Sequence, residues 1–575
     1  MADSPNSPVQ LGKPPKKELS MEIRLLLAFL LMGLVLFVTP YIYKAPPSPP
    51  PAAAKQTKTA VTQTPGATTS TPAAKTTAAE TVPAQPAPGQ IQAASEQEFT
   101  VETQLFQVRF SNRGAVVRSW VLKKYKDHAG KPLELVNQVS LAKVPPPFSL
   151  ALKDDKANSS LNYGLYVAKT GPDGLGIQYE FSDGVYDAKK SFHFSKDGYL
   201  SQVSTEVTHN GSPVEHMIAW RGGFGDSTEI NRTAKRHAVH YDLSQSKLIS
   251  KDAKSVKDSP FSSAGDYSFA GLDDHFFAFV FLPKENTSTK VEVVKDDVPV
   301  APGGKDEAEV GVEVGGDSVN RLTAFVGPKD VDLLRKVDPK LQQLIDWGWY
   351  GVIAKPIFLI MHWLNDNVVR SYGWSIVLIT VIINLLLLPL RFSSLKSQRK
   401  MQSLQPQIAA INAKYKGLSM RDPKKAQQNQ EVMELYKKEG VNPVGGCLPM
   451  LIQLPILYAF YKVIDVTIEL RGAHWLWVMD LSQPEQIPIR MLPVILIVTQ
   501  FVVQRMTPNP GMDPSQAKMM AFMPLMFGFL FYNASSGLVL YWLTGNLVGI
   551  LQQWMINRSM PPPPAPVKAA SKKKG

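Results

Sequence analysis

Side chains that catalyse reactions or hold metals are scarce in this sequence of 575 residues. The one cysteine, Cys447, lies in an apolar run, which excludes an intrachain disulfide and a cysteine-rich zinc site. No HExxH, GxSxG or Walker motif occurs. His237 and His240 are the only close histidine pair, and they lie outside any helix-forming context. We therefore predict no metal, no cofactor and no enzymatic activity.

The two halves of the chain differ in composition. The region before about residue 330 is polar and soluble in character, whereas apolar runs dominate after residue 341. Runs of about 20 apolar residues are long enough to cross the hydrocarbon core of a bilayer. Because the length also exceeds that of one ordinary domain, we predict a multi-domain membrane protein.

The N-terminal segment is predicted to be a membrane anchor over residues 25–43. Basic residues precede its apolar run, and Pro40 and Tyr41 occupy the zone where a signal peptidase would cleave. A cleaved secretory signal is the alternative, and both interpretations leave residues 1–24 in the cytoplasm. Residues 44–95 are rich in Pro, Ala and Thr, so we predict a disordered linker.

Residues 96–330 are predicted to form a periplasmic antiparallel β-sandwich. Apolar and polar residues alternate through FTVETQLFQVRFSNRGAVVRSWVL, and the alternation is broken by a turn at residues 112–114. Short alternating strands separated by Gly, Asn and Asp are typical of a sandwich. Residues 331–371 are predicted to link this domain to the membrane through a short helix and an interfacial amphipathic helix.

Five further membrane spans are predicted, at 372–391, 443–470, 487–505, 518–533 and 536–556. A basic helical hairpin at 392–440 follows the first of them, and a basic tail at 557–575 ends the chain. Counting six spans from an inside N-terminus places the hairpin and the tail in the cytoplasm. This placement agrees with the positive-inside rule.

Polar side chains recur inside these apolar spans. Thr380 and Asn384 lie one helical turn apart, and later positions follow at Arg391, Gln453, Gln500, Gln504, Tyr541, Trp542, Asn546 and Gln552. A buried amide that faced lipid would lack hydrogen-bond partners. We predict that the set lines a wet groove open to the cytoplasm. Hydrogen bonding between helices is the alternative for any single member.

Four stretches closely resemble the YidC family of membrane protein insertases: LQPQIAAI (404–411), VNPVGGCLPMLIQLPILYAFY (441–461), MTPNPGMDPSQAKMMAFMPLMFGFLF (506–531) and SSGLVLYWLTGNLVGILQQWMI (535–556). The anchor, linker and β domain match the layout of the Gram-negative form. The resemblance implies a β-supersandwich similar to galactose mutarotases and a location in the bacterial inner membrane. The implied partners are nascent membrane proteins, the Sec translocon, membrane lipids and the ribosome, whose RNA suits the basic hairpin and tail.

Asn384 departs from the family pattern. Many members carry an arginine in the groove at this position, whereas Thr380 matches its neighbouring threonine. Arg391 lies seven residues further on, about 10 Å along a helix and on nearly the same face. This spacing makes Arg391 a candidate replacement for the missing charge.

The sequence therefore predicts an insertase that needs no nucleotide. A groove with water and hydrogen-bonding groups would lower the cost of desolvating a polar segment in transit. A small-solute transporter or channel is the alternative, although a transporter would favour paired repeats with broken helices, and we find no convincing repeat. A third interpretation, a periplasmic binding module on an anchor, leaves five C-terminal spans unexplained.

Overall fold

The computed structural model describes residues 90–559, with gaps at 128–129, 229–235, 257–259, 285–287, 302, 416–421, 423, 442–447 and 507–513. The predicted anchor, most of the predicted linker and most of the basic tail lie outside the described residues.

The first part of the described chain is built from strands, all paired antiparallel. Their bounds are β1 Glu98–Glu102, β2 Phe106–Ser111, β3 Val116–Lys126, β4 Pro132–Glu134, β5 Ser149–Ala151, β6 Val167–Thr170, β7 Gly176–Ser182, β8 Tyr186–Phe194, β9 Leu200–His209, β10 Ser212–Pro213, β11 Met217–Trp220, β12 His237–Asp242, β13 Lys247–Lys251, β14 Phe261–Gly265, β15 Tyr267–Asp273, β16 Phe277–Leu282, β17 Thr289–Pro299, β18 Asp306–Gly315 and β19 Val319–Pro328. One helix, α1 (Asp155–Tyr163), lies among them.

Three sheets form this domain. One has the order β1-β2-β3-β4, and another has the order β14-β17-β18-β11-β5. The largest runs β13-β12-β15-β16-β19-β9-β8-β7-β6, with β10 added beside β9. Inward-facing rings pack between the sheets; the rings of Trp220 and Phe279 lie 4.4 Å apart, and Phe148 stacks on Trp120 at 6.2 Å. The predicted β-sandwich is therefore confirmed.

The sandwich extends beyond both predicted boundaries. At its start, Ile91 exchanges backbone hydrogen bonds with Ser182 at 2.9 and 3.0 Å, so the linker prediction that ran to residue 95 ends too late. At its end, Leu334, Leu341 and Leu344 are buried in the same core. The core therefore continues past the predicted boundary at residue 330, because the apolar face of the linking helix packs on the sandwich.

Helices make up the rest of the described chain. Their bounds are α2 Val331–Val337, α3 Gly351–Leu364, α4 Tyr372–Leu386, α5 Leu388–Ser403, α6 Gln405–Lys414, α7 Lys424–Lys438, α8 Leu448–Val466, α9 Met491–Met506, α10 Pro514–Phe531 and α11 Ser536–Ser559. A π-helical turn, Asn365–Val369, follows α3 and ends at Arg370, whose φ is +50°. In the basic hairpin, α6 and α7 pack through Ile408 and partly buried apolar side chains.

Two predicted spans are shorter as helices than expected. The span at 372–391 breaks at Leu387, because Pro389 near the start of α5 has no N–H to donate to the preceding turn. Within the described part of 443–470, α8 ends at Val466, and Thr467 adopts an extended conformation before a short 3₁₀ turn. The other predicted spans overlap α9, α10 and α11 with small shifts at their ends.

Helix length and hydropathy indicate which described helices could cross a membrane. Among the described helices, none taken singly is long and apolar enough to cross a membrane. One bent pair, Gly351–Val369 with Tyr372–Leu386, meets both criteria together at an angle of 117°.

The sandwich and the helices share a tight junction. Arg471, which follows α8, donates to the carboxylate of Asp226 at 2.5 Å and to the carbonyl of Lys126 at 2.9 Å. Its guanidinium also lies over the rings of Phe276 and Phe277, at 5.4 and 5.5 Å from their centroids. Because charge-assisted bonds and ring contacts converge on the Arg471 side chain, they hold the segment after α8 against the sandwich.

Candidate functional site: a polar seam along the last helix

The last described helix, α11, packs against α4, α8 and α9. Tyr541, Gly545, Gly549 and Gln552 follow one another at spacings of four, four and three residues, which places them on one face. Opposite this face lie Asn384, Arg391 and Gln453. We call these seven residues the polar seam.

Arg391 and Gln552 form one end of the polar seam. The guanidinium of Arg391 donates to Oε1 of Gln552 at 3.1 Å, and Nε2 of Gln552 donates to the backbone carbonyl of Asn384 at 3.2 Å. A Cβ at Gly549 would lie only 3.2 Å from Nη1 of Arg391, so a glycine there lets the guanidinium approach α11 closely. Asn384 and Arg391, seven residues apart, thus both contact the side chain of Gln552.

Asn384 itself is buried, with 2% of its surface exposed. Its Nδ2 donates to the carbonyl of Thr380, one turn back in the same helix, at 2.7 Å. Its Oδ1 is also buried and accepts no hydrogen bond from the residues that the structure describes. An unsatisfied buried acceptor costs roughly 1–3 kcal/mol, so this oxygen is suited to a donor from a moving polar group or from water.

Thr380 does not reach the polar seam by its side chain. Its hydroxyl donates to the carbonyl of Ile376 at 2.6 Å, a bond within its own helix. This is the usual way in which a threonine satisfies its hydroxyl in an apolar helix. Its contribution is the backbone carbonyl that holds Asn384.

Gln453 and Tyr541 form the middle of the polar seam. Nε2 of Gln453 donates to the hydroxyl of Tyr541 at 2.6 Å. The ring of Tyr541 stacks on Phe460 with centroids 4.0 Å apart. Beyond Tyr541, a Cβ at Gly545 would meet no atom within 4 Å, so space is open beside this glycine.

The remaining predicted residues lie on a neighbouring face of α11. Nδ2 of Asn546 donates to Oε1 of Gln500 at 2.9 Å, and the indole of Trp542 donates to the same oxygen at 3.4 Å. Asn546 also reaches the hydroxyl of Thr499 at 3.3 Å, a partner that the sequence analysis did not single out. Gln504 lies one turn beyond Gln500 on α9 and is half-buried. The predicted residues with contacts across α11 thus divide between two of its faces, while the Thr380 hydroxyl bonds within its own helix.

One further group could hold a cation. Nε2 of His362 lies 3.0 Å from Asp332 and 3.2 Å from Asp366, and Nδ1 contacts the hydroxyl of Tyr372 at 2.9 Å. The three potential ligand atoms lie within 4.8 Å of one another. A protonated His362 can pair with both carboxylates without a cation. We therefore interpret these contacts as ion pairs of α3 with α2 and with the π-helical turn. The contact between Asp332 and His362 had no signal in the sequence because the two residues are thirty positions apart.

These features define a class of protein: a large antiparallel β-sandwich joined to a helical bundle that buries uncharged polar groups and holds a partly buried arginine against its last described helix. The chain matches the family described as YidC periplasmic domain over residues 98–360, and the 60Kd inner membrane protein family over residues 363–563. It is 33% identical over 491 residues to the membrane protein insertase YidC of Ralstonia nicotianae, covering 83% of this chain and 86% of that one. The YidC of Geotalea daltonii is 32% identical, over 94% of this chain and all of that one. This chain belongs to the YidC family of membrane protein insertases.

A solved structure of an active YidC insertase, with its first transmembrane domain resolved, aligns to 81% of this chain and 94% of that chain. The sequence identity is 22% and the TM-score 0.35. The family assignment therefore stands on the sequence matches. None of the matches favours the small-solute transporter.

Proposed function

We propose that this protein inserts other proteins into the bacterial inner membrane, and that the polar seam receives the polar part of a substrate on its way across. The observation that carries the proposal is the polar seam itself. In an otherwise apolar bundle, α11 faces an arginine, two side-chain amides and the open space beside Gly545.

The energetics of transfer suit this arrangement. A polar segment loses several kcal/mol per unsatisfied group when it enters hydrocarbon. Gln453 and Gln552 can exchange their present hydrogen bonds for bonds to a substrate backbone at little cost, since their amides are hydrogen-bonded before and after the exchange, and Oδ1 of Asn384 can accept a new bond. Arg391 supplies the one positive charge in the polar seam and can pair with a carboxylate.

The apolar span of the substrate then leaves sideways into lipid. Its burial there is favourable by about 25 cal/mol per Å² of apolar surface, so the step needs no nucleotide. The six-span topology with both termini inside belongs to this proposal. So do the partners: nascent membrane proteins, the Sec translocon, membrane lipids, and the ribosome at the basic hairpin and tail.

The test is insertion by the purified protein in liposomes. A Sec-independent single-span substrate with a polar tail is added, and protease protection of the tail is measured. We expect protection with the unaltered protein and a strong loss with Gly545→Phe, because the phenyl ring would occupy the open space in the polar seam. A matched control is Leu547→Phe, which places a phenyl ring at an exposed position of the same helix, outside the polar seam.

Protection that is the same for Gly545→Phe and the unaltered protein would exclude the polar seam as the path. Absence of protection with the unaltered protein would contradict the insertase proposal itself.

A further inference from the structure

A cleft crosses the outer face of the largest sheet, well away from the polar seam. Its volume is about 860 Å³. Strand register aligns one row of side chains across it: Arg321 opposite Ser204, Ser204 opposite Ser191, Ser191 opposite Gln178, and Gln178 opposite Lys169. Directly opposed residues share a face of a sheet, so these five side chains form one line. We call this site the sheet cleft.

The sheet cleft continues towards the helical bundle. A second hollow of about 270 Å³ shares Lys284, Arg321 and Thr323 with the first and reaches Val337 at the end of α2. Since α2 connects the sandwich to the bundle, one end of the sheet cleft lies beside the connection and the other at the turn between β6 and β7.

Charge is distributed unevenly along the sheet cleft. Lys284 and Arg321, at the end near α2, are exposed and form no ion pair with any residue that the structure describes. At the far end, Lys169 pairs with Glu180 at 3.3 Å, and Asp173 lies 3.9 Å from His193. The near end is therefore positive, whereas the far end is close to neutral.

The dimensions and lining fit an extended polypeptide. Five strands about 4.8 Å apart give a row of roughly 19 Å, the length of about six extended residues. Serine and glutamine side chains along the row can donate to and accept from a peptide backbone. Among the described lining, Phe192 is buried in the core and no Trp or Tyr occurs, so the exposed aromatic faces on which sugars commonly stack are absent there.

We propose that the sheet cleft binds an extended, acidic polypeptide segment that has just crossed the membrane. This inference rests on the proposed function, which delivers such segments to this side. Segments that cross are poor in Lys and Arg under the positive-inside rule. Carboxylates are therefore their main charges, and Lys284 with Arg321 attracts them close to the connection with the bundle.

The first test is direct peptide binding. A fluorescent ten-residue peptide rich in Glu, Ser and Thr, and a matched peptide with Lys in place of Glu, are titrated into the full-length protein in detergent. We expect the acidic peptide alone to bind and its binding to weaken as salt is raised. The double variant Arg321→Glu/Lys284→Glu should weaken that binding by about tenfold or more, because like charges would meet.

The matched control is Lys247→Glu/Lys254→Glu. It makes the same change in net charge at exposed positions on the same domain, and β13, which carries Lys247, is at the opposite edge of the sheet. This control should keep the binding of the unaltered protein. Equal binding of both peptides, or equal loss in both double variants, would overturn the proposal. So would binding of an anionic polysaccharide in place of the acidic peptide.

Insertion in liposomes separates this inference from the proposed function. A substrate with an uncharged tail should insert equally well with the unaltered protein and with Arg321→Glu/Lys284→Glu. Insertion without any peptide binding would remove the sheet cleft proposal alone. Failure of the unaltered protein to insert any substrate would remove the function on which it rests.

Discussion

The β-sandwich and the helical bundle both bury polar side chains, but they satisfy them in different ways. The sandwich buries two full charge pairs, in which Arg236 donates to Glu309 at 2.7 Å and Lys329 donates to Asp273 at 3.0 Å, and it holds the buried Lys190 by backbone carbonyls. The bundle buries mostly neutral amides and hydroxyls, and it leaves Oδ1 of Asn384 without a partner among the described residues.

The difference indicates what each region is built for. A paired charge in a core is strongly held, because removal of either partner leaves the other charge desolvated. A neutral amide can exchange partners at small cost. The sandwich thus keeps one fixed set of buried polar contacts, whereas the polar seam can form different hydrogen bonds with one polar group after another.

The largest expected effect comes from breaking a charge pair in the sandwich. Arg236→Ala leaves Glu309 buried and should lower the free energy of unfolding by about 3–5 kcal/mol. Arg113→Ala, which breaks an exposed pair with Glu96 at 2.8 Å, should cost about 0–1 kcal/mol. Denaturant unfolding followed by tryptophan fluorescence measures both. Similar costs for the two variants would contradict the contrast drawn here.

The next effect depends on pH. Burial, aided by the charge of Lys190, outweighs a hydrogen bond to the carbonyl of Val214 and lowers the pKa of His216 to about 4. The folded sandwich therefore binds fewer protons here than the unfolded chain. Stability from this group should be complete above about pH 6.5 and fall by about 3 kcal/mol as pH drops towards 4.

Thermal unfolding between pH 7 and pH 4 measures this loss. His216→Gln, which can still bond to Thr205 and Asn320 but cannot titrate, is the matched variant. It should be less stable than the unaltered protein at pH 7 and less sensitive to pH. An identical pH slope in both proteins would exclude His216 as the source.

A smaller change in stability, with a clear change in activity, is expected at Asn384. Asn384→Leu removes one bond within a helix and should cost about 0.6–2 kcal/mol, yet it should impair insertion of substrates with polar tails. Asn384→Arg should stay folded and active if the polar seam admits water. If the site is dry, the arginine should cost roughly 3 kcal/mol or more. An active leucine variant beside an unfolded arginine variant would refute the role proposed for Asn384.

The smallest expected effect is that of Gly545→Ala, and Gly528, another glycine of the bundle, is its comparison. Gly545→Ala meets open space and should change stability by about 1 kcal/mol or less, in the stabilising direction, because alanine favours helix. Gly528→Ala would place its Cβ 2.2 Å from Ile497 and should destabilise by about 1–3 kcal/mol. Thermal unfolding in detergent compares them. A loss of stability at Gly545 would mean that no open space exists there.

The sequence predicted the type of each region, strands or helices, better than it predicted which residues are in contact. Alternation in the first half indicated a sandwich, because the period of two is a local property of a strand. In the order β19-β9-β8-β7, which creates the row in the sheet cleft, β7, β8 and β9 are consecutive in the chain, whereas the pairing of β19 with β9 joins distant strands and had no local signal. The extension of the core to Leu344 was missed for the same reason.

In the candidate site, the sequence identified the polar residues but did not indicate which of them share a face of α11. Tyr541 and Trp542 are adjacent in the chain, yet they face different neighbours, Gln453 and Gln500. The spacing of Asn384 and Arg391 assumed one straight helix. Their shared contact with Gln552 survives the break at Leu387 because the next helix begins at Leu388.

The junction at Arg471 also bears on how the molecule can be divided into fragments. Val466, the last residue of α8, and Ile468, just after it, are buried in the core of the sandwich. A fragment that stopped at residue 330 would expose the apolar surface under both side chains, lose the cover of α2, and leave the carboxylate of Asp226 without its guanidinium. Such a fragment would expose an apolar patch through which its copies could associate. The surface of a sandwich cut at residue 330 therefore differs from the surface that the sandwich has in the intact protein.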